Sequence, residues 1–381
     1  MAIKLLGIYP GMSRRAEMLY ALQALKEFDV ETIVIAGRSG GRHRTGYSPY
    51  YEDYSSLKVF RLYKNRKEMF FAPWLHYNEA LSLARDFSPD IILTSQQTTA
   101  RLAVNLADEL EVPIVPWIES SAYEFATGKS DLKRRIPFNL LLSLAGMPPT
   151  RIAWWNWIIS KSSAIITCNP QDKPYLRYLR RYGKTIHYIP WPIGLDMDYA
   201  SKLRASAKKK QGIYAGSLLS AKNVQEFEKT IPQIFKETPT ERFLFIGHGP
   251  EEKTVMRLHQ RFGNRILHAR DMPKKEVAKL IASSWYACTP TGRYGSWQFI
   301  DDCWALGTPV IKTDTGYVTH GHDGLVVPAT EIVATVNRLF DEPKLYNRLV
   351  DGGLAEASER HPKRIAMKLF SVIAECVDAQ R

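Results

Sequence analysis

"RYGSWQFIDDCWALGTPVIKTD", residues 293–314, decides how the chain is read. A glycine turn leads into an amphipathic helix, and a second glycine turn leads into an apolar strand, so the stretch is one helix-and-strand repeat of an α/β sheet. Ser296 is a candidate helix cap. The adjacent carboxylates Asp301 and Asp302 fall mid-helix, where helical spacing lets only one of them face outward; Asp301 is expected to face solvent.

The same alternation extends in both directions. Toward the N-terminus lie the strands "GIYAGS", "RFLFIGHG", "RILHAR" and "WYACTP", separated by the helices "NVQEFEKTIPQIFKE", "EEKTVMRLHQRFG" and "KKEVAKLIASS". The first half repeats the pattern with "IKLLGIY", "VETIVIAG", "DIILTSQ", "PIVPWIE", "SAIITCNP" and "TIHYIPW". Apolar strands joined through helices imply parallel sheets covered on both faces. Two doubly wound domains are predicted, 1–190 and 191–364, with a C-terminal helix over about 365–381 packing back on the first. The basic, polar "KLRASAKKKQG" reads as a linker or domain edge. In such sheets ligands sit beyond the carboxyl ends of the strands.

The 381 residues are 45% hydrophobic and 24% charged, values typical of a globular protein. No signal-peptide pattern opens the chain, and "IPFNLLLSLAGMPP" (136–149) is too short to span a bilayer, so a cytoplasmic protein is expected. Four scattered cysteines without CxxC spacing read as free thiols. The net charge of +13 is spread over both halves but clusters at 58–67, 129–135, 176–184 and 202–210, which suits a polyanionic partner: an anionic lipid surface, DNA, or the phosphates of a small ligand. For any one cluster a solvated helix face is the simpler account. No stable protein partner is evident.

Three stretches carry chemistry. A helix that starts just past a parallel strand turns free N–H groups and a positive dipole end outward, which suits a phosphate; residues 295–298 are placed that way. In "GIYAGSLLSAKNVQEF" (212–227) a strand ends at Gly216, Ser217 opens a small polar loop, and Lys222 stands where the next helix begins. A lysine there opposes the helix dipole, and a bound diphosphate would justify it. "FLFIGHGPEE" (243–252) places Glu251 and Glu252 in a first turn, which the dipole explains without catalysis.

In this order, with "RILHARDMPKKEV", "ALGTPVI" and "HDGLVV", the segments resemble family 4 glycosyltransferases of the GT-B fold, whose two Rossmann-like domains face each other across a cleft. The resemblance covers about residues 150–340 and holds at pattern level over the first half. It implies that Lys222 contacts a donor diphosphate and that the N–H groups of Gly295, Ser296, Trp297 and Gln298 hold the distal phosphate. It implies further that Asp302 hydrogen-bonds the donor ribose, that Arg270 to Met272 line the nucleobase, and that Gly11 approaches the donor. Three positions depart from the family pattern: Tyr294 replaces the first acid of E-x7-E, Ser217 replaces an arginine after Gly216, and Glu119 replaces a histidine. Glu119 is therefore the candidate general base for an acceptor hydroxyl. These points are also similar to phage DNA β-glucosyltransferase.

The resemblance implies metal-independent transfer of a sugar from a UDP- or GDP-sugar, a substrate rather than a cofactor, to a glycan or lipid-linked hydroxyl. The alternatives are transfer to hydroxymethylated bases of DNA, and a nucleotide-binding protein that has lost turnover. Arg134, Arg135 and Phe138, in the basic, apolar and tryptophan-rich stretch 134–159, are candidates for acceptor or membrane docking at the inner surface; most of that stretch also fits core helices. Asp196-x-Asp198 and "HGHDG" (320–324) have the look of metal sites but read better as turns, and no metal is expected. "GIYPGMSRR" lacks the G-x-G-x-x-G of a dinucleotide fold.

Overall fold

A computed structural model describes residues 2–10, 16–38, 49–54, 56–64, 68–69, 72–95, 97–118, 157–168, 173–290, 297–313 and 316–381. The chain divides into two compact units, one of residues 1–192 and 362–381, the other of residues 193–361.

The first unit is built on β1 (Ile3–Tyr9), β2 (Val30–Gly37), β3 (Tyr51–Asp53), β4 (Leu57–Tyr63), β5 (Ile91–Ser95), β6 (Ile114–Ile118), β7 (Ala164–Thr167) and β8 (Thr185–Tyr188). Their order in the sheet is β3-β4-β2-β1-β5-β6-β7-β8. All pairs are parallel except β3 with β4. β1, β2 and β5 are nearly continuous apolar runs because helices cover both faces of a parallel sheet.

The β3–β4 hairpin corrects the sequence reading. "KVFRLYKNRK" reads as a basic cluster, yet most of it is strand β4, and Arg61 is fully buried. Its guanidinium pairs with Glu52 of β3 and donates to the Pro49 carbonyl at 3.2 Å. A buried charge must be paired, and β3 supplies the partner.

The C-terminal helix Pro362–Asp378 belongs to this unit and packs on the helix Ala16–Ala24 and the turn Leu25–Phe28. Phe28 and Phe370 stack at 5.4 Å, and Lys363 pairs with Glu27 at 2.7 Å.

The second unit carries β9 (Lys209–Ala215), β10 (Arg242–Ile246), β11 (Ile266–Ala269), β12 (Ser284–Thr289), β13 (Val310–Lys312) and β14 (Leu325–Val326), all parallel, in the order β11-β10-β9-β12-β13-β14. Strand alternation sorts the core onto its two faces. Tyr214, Phe243, Phe245 and Ile311 join one cluster, while Ile213, Leu244, Ile246 and Val310 join the other.

The stretch read as a linker or domain edge lies inside this unit, near its start. Residues Met197–Arg204 form a helix, and the basic residues at and just beyond its end serve the helix Trp297–Ala305. Arg204 Nε donates to the Ala305 carbonyl at 2.8 Å, and Lys208 Nζ donates to the Gly307 carbonyl and to Thr308 Oγ1, each at 2.9 Å. Cations at a helix C-terminus satisfy its last carbonyls and its dipole.

Asp196 caps its own helix by accepting from the N–H groups of Asp198 and Tyr199. All four cysteines are buried free thiols. Among the described residues, no helix is long and apolar enough to cross a membrane.

Candidate functional site

The carboxyl ends of the second unit's strands carry the densest constraints. Tyr214, near the end of β9, donates its hydroxyl to the Ser217 carbonyl at 3.1 Å. The following loops then interlock from strand to strand: Gly216 N–H to the Ile246 carbonyl, Leu218 N–H to that of His248, Gly247 N–H to that of Ala269, and Glu251 N–H to that of Leu218, at 2.8–3.0 Å.

The two glycines of "GHG" make this approach feasible. Gly247 has φ +132°, and a Cβ there would lie 2.0 Å from the Gly216 carbonyl oxygen. At Gly249, with φ +154°, it would lie 2.2 Å from that of Leu218. Both positions demand glycine on two counts.

Lys222 closes a 3-10 turn, Ser220–Lys222, and its N–H reaches the Leu219 carbonyl at 2.9 Å. The α-helix begins later, at Phe227, so Lys222 belongs to the loop after β9 rather than to a helix start as the sequence suggests. Burial pushes its ammonium down to about 8, and the charge of Lys312 pushes the same way.

Arg270 pairs with Glu252 at 3.2 Å, and Asp271 with His248 at 3.3 Å, while Met272 packs on a core cluster. Glu252 thus anchors Arg270 as well as complementing its helix.

The helix Trp297–Ala305 buries both aspartates, which corrects the expectation that Asp301 faces solvent. Asp301 accepts from the Tyr317 hydroxyl at 2.5 Å and lies 3.7 Å from Arg360. The Arg360 guanidinium also lies over the rings of Trp304 and Tyr317, and Trp297, Tyr317 and Trp304 stack in sequence at 5.3 and 5.5 Å. Burial raises the Asp301 carboxyl to about 7 against the pull of Arg360 and Tyr317.

Asp302 is raised as well, by burial, against the pull of Lys274. Its Oδ2 accepts from Lys274 Nζ at 2.6 Å, whereas Oδ1 is buried without a partner among the described residues. Trp297 is half-buried and Gln298 exposed at the start of the helix.

Of the residues singled out from sequence, Gly216, Ser217, Lys222, Arg270, Met272, Trp297, Gln298 and Asp302 all lie in this one unit, in loops or helices that follow its strands. Gly11, Glu119, Arg134, Arg135, Phe138, Tyr294, Gly295 and Ser296 lie outside the described residues. Lys274, Lys312, Tyr317 and Arg360 were missed. Only Lys312 left a signal, a lysine ending the apolar strand "PVIK".

In "HGHDG", Asp323 is buried and its Oδ1 accepts from the Thr319 N–H at 2.8 Å, shaping the turn into β14. Among the described residues, no three His, Cys, Asp or Glu side chains cluster as metal ligands would.

Comparison with known proteins now bears on the site. Over its whole length the chain superposes on sucrose-phosphate synthase from Thermosynechococcus elongatus, with a TM-score of 0.76 at 16% identity, covering 99% of this chain and 100% of that one. The fold is GT-B. Anabaena HepE, solved in complex with UDP-glucose, matches with a TM-score of 0.63 at 16% identity over 98% of this chain and 100% of that one.

Residues 209–342, from β9 into the helix Ile332–Asp341, match the family model described as Glycosyl transferases group 1. An MMP alpha-(1->4)-mannosyltransferase of Mycolicibacterium hassiacum is 27% identical over 186 residues, 46% of this chain. The match spans 44% of that enzyme's length. The site described above falls within the group 1 segment, apart from Arg360.

Proposed function

We propose that the protein is a family 4 type glycosyltransferase that moves a sugar from a UDP- or GDP-sugar to a hydroxyl of a glycan or lipid-linked acceptor. The interlocked loop of Gly216 to Lys222, with a lysine held partly out of water, is the observation that carries the reading. The group 1 match over the same residues and the UDP-glucose bound by HepE support it.

In this reading the donor diphosphate lies against the loop and the start of the helix Trp297–Ala305. When the bond from the sugar's anomeric carbon to the phosphate oxygen breaks, charge gathers on the departing diphosphate. A preformed cation in a poorly solvated place stabilises that charge more than water does. Arg270 to Met272 flank the base. Asp302 serves the ribose only as Lys274 yields, because solvent does not reach its second oxygen. Glu119 takes the acceptor proton. Lysines balance the diphosphate in place of a divalent ion, so chelation by EDTA should leave turnover unchanged.

The first test is thermal unfolding of the full chain with UDP-, GDP-, ADP- and CMP-sugars, with and without magnesium. One sugar nucleotide should raise the Tm, since a ligand that binds only the folded state stabilises it. No shift with any of them would sink the donor assignment. Glu119→Gln should retain that shift and lose transfer; transfer at the wild-type rate would remove Glu119 from the mechanism. Tight, salt-sensitive binding to duplex DNA would move the acceptor to nucleic acid.

A further inference from the structure

The four basic clusters of the chain are used differently. Most of 58–67 is strand, with Arg61 buried against Glu52, and in 202–210 Arg204 and Lys208 close a helix. The cluster at 129–135 lies outside the described residues. The cluster at 176–184 stays on the surface of the first unit, in the helix Lys173–Arg180 and the turn that leads into β8. Arg177, Arg180 and Arg181 are exposed and Lys184 is half-buried, while Leu179 is fully buried. Spacings of three and four residues put the arginines on one helical face, opposite Leu179.

None of these four side chains has an ion-pair or hydrogen-bond partner among the described residues. Exposed cations elsewhere in the unit do pair: Arg85 with Glu109 at 2.7 Å, and Lys161 with Asp108 at 3.0 Å. Residues 173–195 hold five lysines and arginines and no acid. β8 is the edge of the sheet, and Tyr188 at its end is 43% exposed. The helix dipole accounts for a cation in the last turn, but like charges three and four residues apart repel, so this face gains from an external anion. Since β8 runs parallel to β7, Arg180 to Lys184 lie at the amino ends of the strands, away from the carboxyl ends where a ligand sits.

We infer that this face docks the protein on an anionic lipid surface, with the four cations at the headgroups and Tyr188 at the interface. Cations grouped on an amphipathic helix beside an exposed aromatic ring suit such a surface. A duplex binder covers roughly six to ten phosphates, more than these four cations supply. The docking is independent of the donor reading.

The test is co-sedimentation of the full chain with vesicles of phosphatidylcholine alone and of phosphatidylcholine mixed with phosphatidylglycerol. Wild type should bind the anionic vesicles, release them as salt screens the charges, and ignore the neutral ones. Replacing Arg177, Arg180 and Arg181 together by Gln should weaken that binding about tenfold or more, from roughly fivefold per cation. The Tm and its shift with nucleotide should stay as in wild type, and Lys in place of the three arginines should restore vesicle binding. Arg85→Gln with Lys161→Gln removes paired cations of the same unit and should cost far less. Arg177→Gln with Arg181→Gln, read in the same way, covers the case in which the triple variant does not fold. The docking face is overturned by wild type that ignores anionic vesicles, by an undiminished triple variant, or by an equal loss in the paired-cation control. Tighter binding to duplex DNA than to vesicles at equal salt would overturn it as well. Loss of the nucleotide shift in the triple variant would place the arginines in the ligand site and so also overturn it.

Discussion

The two sheets share a parallel core of six strands in the same order but end differently. Beyond the strands of the second unit, backbone packs on backbone at Gly216, Gly247 and Gly249, and near these ends Lys312, Asp301 and Asp302 are buried and Lys222 half-buried. Among the described residues, the ends of β4 and β5 in the first unit carry a ring and hydroxyls. Thr94 and Thr99 share a hydrogen bond at 2.8 Å past β5, and Tyr63 at the end of β4 donates to the Pro73 carbonyl at 2.9 Å. That bond anchors a turn whose Trp74 and Leu75 are 56% and 58% exposed, with Arg101 lying over the Trp74 ring at 5.8 Å. Among the described residues, one fold thus carries a charged set of strand ends in the second unit and an exposed aromatic turn in the first. The βα repeat sets where a ligand can sit, and the residues after each strand set which ligand.

The largest break in this contrast should come from Gly247→Ala. A side chain meeting backbone at 2.0 Å in a left-handed conformation forces the loops apart, so nucleotide-dependent stabilisation should vanish and the unit should lose about 2 kcal/mol or more. Gly263→Ala is the control: its φ is also positive, but nothing lies within 4 Å, so about 1 kcal/mol and no change in nucleotide response are expected. Equal effects would refute the packing argument.

Lys222→Met comes next. The lysine's folded pKa is depressed to about 8 by burial first and Lys312 second, so its contribution to stability is present above 10.5 and lost as pH falls through about 8. At pH 7 the methionine variant should unfold at a higher temperature than wild type without ligand, and the gap should close toward pH 10.5, while nucleotide no longer stabilises it. A lower Tm at pH 7 would show that the charge is held for structure.

Asp301→Asn should act more modestly. Burial raises this carboxyl from 3.8 to about 7, so its contribution is full below 3.8 and lost as pH rises through about 7. The Tm of wild type minus that of the variant should therefore fall between pH 4 and pH 8; a flat difference would contradict the shift. Trp74→Ala should be mildest, with stability within about 0.5 kcal/mol of wild type because the ring is exposed. Nucleotide binding should be intact and the acceptor KM raised; weakened nucleotide binding would erase the division of labour between the two ends.

Much of this was legible without coordinates. The apolar period and its turns marked twelve of the fourteen strands among the described residues, since a parallel sheet covered on both faces needs continuous apolar runs. Gly216, Lys222 and Asp302 stood out because each is unusual at its local position. The hairpin β3–β4 was hidden because Arg61 disguised a buried strand as a charged surface, and nothing local reveals that Glu52 waits beside it. Asp301 misled for the converse reason: helical spacing assumes one outward face, whereas Tyr317 and Arg360 arrive from later in the chain and enclose the other.

What the amino-acid sequence determined by itself was the repeat, its strand ends and the unusual residues of the loop after β9. These follow from periodicity, glycine and a lysine out of place, which are short-range properties of the chain. Only the tertiary structure decided that Arg204 and Lys208 close a helix and that both aspartates are buried. The helix closure joins residues about 100 positions apart, the aspartates meet partners 16 to 59 positions away, and charge becomes costly or paired only where folding removes the water around it.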